Sequence, residues 1–211
     1  MKKVAILFGL AMGWAPVGFA ADANLVGDAA AGENMSVACS ACHGADGNSA
    51  APTFPKLAGQ GQKYLVKQLK DIRDGARPVP TMAGQLDGKS DQDLADIAAW
   101  YASQARSGGH TNADLLALGE KVYRAGVAER NVPACTACHS PTGQGNAPAG
   151  FPGLGGQHAE YTATTLRAYR KGYEDEAGRT NDGDAKIMRT IAFALSDGEI
   201  DAVSSYIAGL K

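Results

Sequence analysis

Apolar residues along this chain recur at helical spacing, and no stretch alternates apolar and polar residues as a half-buried strand would. Two helical stretches open with a serine that an acidic residue follows three positions later, Ser90 with Asp93 and Ser196 with Glu199. This spacing is that of a capping box, which begins a helix. The apolar positions that follow are Leu94, Ile97, Ala98 and Tyr101 in the first stretch, and Ile200, Val203, Ile207 and Leu210 in the second.

Four further segments predict helices in the same paired fashion: 29–37 with 114–125, and 64–74 with 161–171. The segments 44–61 and 140–157 are rich in glycine and proline, which predicts loops. Loops of this length suit wrapping around a flat cofactor better than building a sheet. We therefore expect an all-α fold.

The paired helices reflect an internal duplication. The sequence APTFPKLAGQ at 51–60 returns, with changes, as APAGFPGLGGQ at 147–157. Downstream matches keep the same order: Tyr64 with Tyr161, Leu69 with Leu166, and Gly75 with Gly172. The second copy also contains two extra stretches, 124–132 and 173–186. The chain is therefore expected to form two similar domains.

Residues 103–112 are polar, contain glycine and lack apolar periodicity, which is typical of a linker. We therefore divide the chain into a signal peptide at 1–20, an N-terminal domain at 21–102, a linker at 103–112 and a C-terminal domain at 113–211. Domains of this size have thin apolar cores. A tightly held cofactor would supply part of each core.

The first twenty residues have the pattern of a secretory signal peptide. Lys2 and Lys3 give a basic start, residues 4–17 are largely apolar, and Gly18 and Ala20 supply small residues for cleavage after Ala20. This apolar run is too short to span a bilayer, and no later segment is long enough. We expect export to a bacterial periplasm. The mature chain would have no transmembrane segment, although it could associate peripherally with a membrane.

All four cysteines lie in two copies of the pattern C-x-x-C-H, which attaches c-type haem. The copies are Cys39, Cys42 and His43, and Cys135, Cys138 and His139. The two thiols of each copy bond to the vinyl groups of the porphyrin. The adjacent histidine ligates the iron through its neutral imidazole. The sequence therefore predicts two covalently bound haem c groups, with these cysteines as thioether attachments and these histidines as axial ligands.

A thioredoxin-like redox pair and a zinc site are the other uses of a C-x-x-C pair. The redox pair lies beside a βαβ pattern, and the chain has no strand-like run. Zinc sites built from two pairs have gaps of about 15–20 residues, whereas 92 residues separate Cys42 from Cys135. Neither use explains the histidine after each pair, so haem attachment is the preferred interpretation.

The duplication also selects candidates for the second axial ligand of each iron. Met82 lies eight residues before Ser90, and Met188 lies eight residues before Ser196, so the two methionines are equivalent. Of the other histidines, His110 lies in the linker, and His158 corresponds to Gly61 in the first copy, so it is not a ligand that both copies share. Histidine–methionine ligation raises the reduction potential of the iron and suits electron transfer.

Two further pairs of residues are candidates for supporting roles. Arg77 and Arg179 precede the methionines and could pair with haem propionates, the alternative being solvated surface arginines. Pro52 and Pro148 could hold the loop whose carbonyl orients the proximal imidazole.

The two haem motifs, the later methionines, the proline-containing loop and the duplication resemble the dihaem cytochrome c4 family. The resemblance covers the predicted mature chain. It implies an all-α fold of two tandem class I cytochrome c domains, each wrapped around one covalent haem and related by approximate two-fold symmetry. It also implies a periplasmic carrier that passes single electrons between respiratory partners towards a terminal oxidase.

Charge adds little to this interpretation. The chain has 20 Lys and Arg and 22 Asp and Glu, a net charge of −2, and no basic patch indicates a nucleic-acid partner.

We expect an electron carrier rather than an enzyme. The alternatives are the haem subunit of a dehydrogenase and a dihaem peroxidase. A peroxidase needs an open iron with acid and base groups nearby.

Overall fold

The computed structural model describes residues 25–210. The predicted signal peptide lies outside them. Within this range the regular structure is helical, and β-pairing is limited to two isolated bridges, Val127 with Val132 and Asn146 with Phe151. No helix in this range is both long and apolar enough to cross a membrane. The prediction of an all-α fold is confirmed.

The helices of the N-terminal half are α1 (Ala29–Met35), α2 (Ser40–His43), α3 (Gln62–Arg73) and α4 (Asp91–Ser103). Those of the C-terminal half are α5 (Leu116–Ala125), α6 (Thr136–His139), α7 (Ala159–Glu174), α8 (Ile187–Phe193) and α9 (Asp197–Gly209). Short 3₁₀ turns lie at Val37–Cys39, Pro80–Met82, Ala113–Leu115 and Ala128–Arg130. Among the described residues of the first half, α8 has no α-helical counterpart, only the 3₁₀ turn Pro80–Met82, and the sequence did not predict it.

Both predicted capping boxes are present. The Ser90 hydroxyl accepts from the Asp93 amide at 3.1 Å, and the Asp93 carboxylate accepts from the Ser90 amide at 2.7 Å. The Ser196 and Glu199 pair does the same at 3.3 and 2.8 Å. These bonds satisfy amides that the first turn of a helix otherwise leaves without partners. They fix where α4 and α9 begin.

In each half the first helix packs against the last, at a glycine. A Cβ atom on Gly32 of α1 would overlap the carbonyl oxygen of Asp96, and one on Gly119 of α5 would overlap that of Ala202. The two backbones therefore approach more closely than any side chain allows. Tyr101 of α4 is 2% exposed and lies in the N-terminal core.

Reciprocal hydrogen bonds join the two halves. The Gln60 side-chain amide donates to Gly153 O at 2.9 Å, and its oxygen accepts from Gly153 N at 2.8 Å. Gln157 makes the same pair with Lys56, both at 2.9 Å. Gln60 and Gln157 are equivalent in the duplication, as are Lys56 and Gly153. An approximate two-fold axis therefore relates the two sides of the interface.

The segment between α4 and the turn at Ala113 packs along this interface. Arg106 donates to the carbonyl oxygens of Ala58 at 3.0 Å, Gly59 at 2.9 Å and Gly155 at 3.3 Å, so it contacts both halves. The Lys56 ammonium donates to carbonyl oxygens of the same segment, those of Ser107 and Gly108. Hydrogen bonds thus hold this segment, which we call the strap, against both halves. The domain boundaries themselves stay a prediction.

The glycine contact between α5 and α9 predicts the effect of one added methyl group. Gly119→Ala should lower the free energy of unfolding by at least about 2 kcal/mol, because the new Cβ forces the two backbones apart. Gly198→Ala is the matched control, since no atom lies within 4 Å of the added Cβ. It should raise stability by about 0.5 kcal/mol. Denaturant unfolding measures both, and equal effects would contradict this account of the packing.

Candidate haem sites

Each C-x-x-C-H motif forms one helical turn. In α2 and α6 the histidine is the last helical residue, and the first cysteine directly precedes the turn. Residues three apart lie on the same side of a helix, so this turn presents both thiols of a motif in one direction. His43 and His139 are each 7% exposed. The histidine of each motif is thus buried, whereas Cys42 is exposed and the other three cysteines are partly buried.

One ring nitrogen of each motif histidine is bound to the protein. His43 Nδ1 lies 2.9 Å from Pro55 O, and His139 Nδ1 lies 2.9 Å from Pro152 O. Because a carbonyl oxygen only accepts, Nδ1 must donate, and Nε2 keeps its lone pair for a metal ion. Burial lowers the pKa of both histidines, against the opposing effect of these bonds, and favours the neutral imidazole.

The repeated loop supplies the carbonyl that binds each histidine. The bound carbonyls belong to Pro55 and Pro152, which follow the phenylalanine of the loop. Pro52 and Pro148 begin the same loop, and their role in holding it stays a prediction. Spacing along an irregular loop does not reveal which of its carbonyls turns inward.

Equivalent contacts hold both loops in place. Leu57 N donates to Gly47 O at 2.7 Å, and Leu154 N donates to Gly143 O at 2.6 Å. The phenylalanine before each proline lies edge-on to the histidine ring, at centroid distances of 6.2 and 6.3 Å. The imidazole planes are therefore set by the surrounding backbone and by one aromatic ring in each half.

Apolar surface surrounds both motifs, as a porphyrin requires. In the N-terminal half, partly buried side chains lie on the core of α3 and α4: Met35, Cys39, Leu57, Val66, Leu69 and Trp100. In the C-terminal half, Cys135 and Met188 belong to one such layer together with Leu154 and Ile191. The thiols, the free imidazole nitrogens and these apolar faces fit a c-type haem in each half.

The two candidate methionines lie on different local structures. Met82 ends the turn Pro80–Met82 between α3 and α4, and Met188 is the second residue of α8. Both are partly buried. His158, which the sequence ranked below them, bonds across the interface to Ser49 O at 2.8 Å. Iron ligation by Met82 and Met188 stays a prediction.

A polar cluster between the halves was not recognised from the sequence. Arg179, 8% exposed, donates to Gln68 Oε1 at 2.7 Å and reaches the Tyr64 hydroxyl at 3.5 Å. Arg77 donates to the same Gln68 oxygen at 3.0 Å and to the Tyr161 hydroxyl at 3.1 Å. Each arginine thus contacts the tyrosine of the other half. The alternative that Arg179 is a solvated surface arginine is therefore wrong. The sequence did contain a signal for this cluster, because both copies have an equivalent tyrosine and an equivalent arginine.

Two helical halves, each with a C-x-x-C-H turn and a carbonyl-bound histidine, define a tandem c-type cytochrome. A family model described as Cytochrome c matches residues 29–105 and 116–211. Cytochrome c4 of Pseudomonas aeruginosa is 57% identical over 188 residues, which cover 89% of this chain and 91% of that protein. The crystal structure of reduced cytochrome c4 from Pseudomonas stutzeri matches with a TM-score of 0.84 and 53% identity, over 88% of this chain and 100% of that one.

The chain belongs to the cytochrome c4 family. It therefore carries two covalent haem c groups, at Cys39 and Cys42 and at Cys135 and Cys138, and it is a dihaem electron-transfer protein. A more distant relative, the thiosulfate dehydrogenase electron acceptor of Stutzerimonas stutzeri, is 38% identical over 90% of this chain and 87% of that protein. The zinc and thioredoxin-like alternatives are not retained.

The shared acceptor Gln68 gives a test of the polar cluster. Gln68→Leu should lower the free energy of unfolding by at least about 2 kcal/mol, because Arg77, Arg179 and Asn181 all lose the same buried acceptor. Gln62→Leu, on the same helix, is the control, because its side chain makes only one long bond of 3.5 Å to Ala95 O. Thermal unfolding measures both variants, and a control as unstable as Gln68→Leu would contradict the role of the cluster.

Proposed function

We propose that this protein is a periplasmic carrier of single electrons whose two irons each have one histidine and one methionine ligand. The ligands are His43 and Met82 in the N-terminal half, and His139 and Met188 in the C-terminal half. The main support is the bond from each histidine Nδ1 to a proline carbonyl, because it leaves Nε2 as the ligating atom. The equal spacing of the methionines before the capped helices supports the second ligand.

The haem supplies the one-electron chemistry when it is bound. The chain would hold each haem by two thioether bonds, and it fixes each imidazole through Pro55 or Pro152. Ligation by Met82 and Met188 would leave neither iron open to small molecules, and it would limit rearrangement between oxidation states. We further propose that Arg77 and Arg179 bind propionates. Among the described residues neither has a carboxylate within ion-pair distance.

The partners follow from the same proposal. We infer that the carrier delivers electrons to a terminal oxidase of the respiratory chain, as the family resemblance implies. The relative that accepts electrons from thiosulfate dehydrogenase favours a second candidate, the electron acceptor or haem subunit of a dehydrogenase. In both cases this chain carries electrons and does no bond chemistry of its own.

The location is proposed on sequence grounds. The basic start, the apolar run and the small residues before position 21 favour export and cleavage after Ala20. Covalent haem attachment outside the cytoplasm agrees with this. Peripheral association with the membrane would bring the carrier close to an oxidase.

Purified protein from the periplasmic fraction tests the carrier directly. The intact mass should equal a chain that begins at Ala21 plus two haem groups. The spectrum should be low-spin, and the reduced protein should not bind carbon monoxide, because both sixth positions are filled. A high-spin fraction that binds carbon monoxide, or turnover of peroxide, would instead favour the peroxidase alternative.

Removing one methionine tests the ligand assignment. Met82→Ala should open the N-terminal iron, so half of the haem becomes high-spin and binds carbon monoxide while the other half stays unchanged. Met35→Ala is the control, because Met35 is also partly buried beside the N-terminal core and precedes its haem motif. A Met82→Ala protein with two low-spin haems and unchanged methionine ligation would show that the assignment is wrong.

A further inference from the structure

Two cationic side chains lie between the halves without an acidic partner. Lys56 is 8% exposed, and Arg106 of the strap is partly buried. Both charged groups donate their hydrogen bonds to backbone carbonyl oxygens. Among residues 25–210 no carboxylate lies within ion-pair distance of either group. Carbonyl dipoles solvate a cation but leave its charge in place, so each residue contributes one net positive charge to the interface.

Each of these cations lies beside a loop that binds a haem-motif histidine. Lys56 directly follows Pro55, whose carbonyl oxygen accepts from the N-terminal histidine. The Arg106 guanidinium lies against Gly153, because a Cβ atom added to that glycine would stand 2.5 Å from Arg106 Nη1. Gly153 directly follows Pro152, whose carbonyl oxygen accepts from the C-terminal histidine. One residue therefore separates each cation from an imidazole-binding carbonyl along the loop or across a contact.

The two positions are equivalent in the duplication, although the two residues are not. Lys56 corresponds to Gly153, so the second copy has no side chain where the first has a lysine. Arg106 occupies the space that a side chain at 153 would enter, with Nη1 and Nη2 only 2.5 and 2.8 Å from the added Cβ. The strap thus brings a cation to the place where the second copy lacks one.

The charged ends of the two side chains also reach equivalent parts of the opposite loops. The Lys56 ammonium donates to Ser107 O at 3.3 Å, and a Cβ atom added to Gly156 would lie 2.6 Å from that oxygen. The Arg106 guanidinium donates to Gly59 O at 2.9 Å. Gly59 and Gly156 are equivalent residues of the two loops. The approximate two-fold axis therefore interchanges two positive charges, of which the repeat supplies one and the strap supplies the other.

Burial strengthens the effect of these charges on a nearby redox centre. It lowers the pKa of both side chains, and the charge of Arg106 lowers the pKa of Lys56 further, so water solvates both cations poorly. A charge that is shielded from water acts with a lower effective dielectric constant and is screened less by salt. Oxidation of a haem iron adds one positive charge, and a fixed cation nearby opposes it.

We propose that Lys56 and Arg106 raise the reduction potentials of the two haems, and that Arg106 replaces the charge which Gly153 cannot supply. Both residues act through their charge and not as ligands, so they set the potential at which the carrier accepts and releases an electron. The inference goes beyond the proposed carrier function. It rests on the two haem groups and requires neither a particular partner nor a particular sixth ligand.

A spectroelectrochemical titration of the protein with both haems tests this inference. Lys56→Met and Arg106→Met should each lower the equilibrium constant for reduction of at least one haem by at least about threefold, which is about 28 mV at 59 mV per tenfold change. Lys63→Met is the matched control, because Lys63 is exposed and also donates to a carbonyl of the opposite half, Pro148 O, at 3.1 Å. It should change the constant by less than about 1.5-fold. Shifts no larger than that of the control would overturn the inference.

Arg106→Lys separates the charge of Arg106 from its hydrogen bonds. The variant keeps the positive charge but loses the planar fork that binds three carbonyl oxygens. Its free energy of unfolding should therefore fall as in Arg106→Met, while its reduction potentials stay near those of the parent. Equal lowering of the potentials by both variants would show a structural effect and overturn the inference. A parent protein whose haems could not be reduced and reoxidised reversibly would instead overturn the carrier function.

Discussion

The bond between a histidine Nδ1 and a proline carbonyl is the constraint on which most of this structure depends. It fixes the tautomer of His43 and of His139, and with it the ring nitrogen that keeps a lone pair for a metal ion. To point that carbonyl inward, each loop must fold back on a glycine, Gly47 or Gly143. A regular helix or strand would use its carbonyl in its own hydrogen-bond ladder, so an irregular loop is required here.

The same loops build the contact between the halves. Lys56 and Gly153 directly follow the two histidine-binding prolines, and they are the residues that Gln157 and Gln60 hold from the opposite half. The two proximal loops are therefore tied to each other as well as to their own histidines. A shift of one half relative to the other would disturb the imidazole on both sides, which makes the interface part of each haem site.

Local signals predicted well, and features that depend on tertiary contacts did not. The capping boxes at Ser90 and Ser196, the haem motifs and the duplication are each contained in short segments, and the all-α fold and the family followed from them. Helix α8 was missed because seven residues carry too little periodicity to stand out from a loop. The role of Pro55 and the burial of Arg179 depend on which parts of the chain meet across the interface, and no single segment encodes that.

The reciprocal glutamine bonds have a consequence for how such a chain arises. Each bond set joins a side chain of one half to the backbone of the other, and the two sets are interchanged by the two-fold axis. Two separate copies of one half would already possess both sets, since the contact is that of a symmetric homodimer. Fusing the copies through the strap at 103–112 replaces a concentration-dependent equilibrium with a fixed local concentration. It also frees each copy to change independently, and the extra stretches 124–132 and 173–186 of the second copy are such a change.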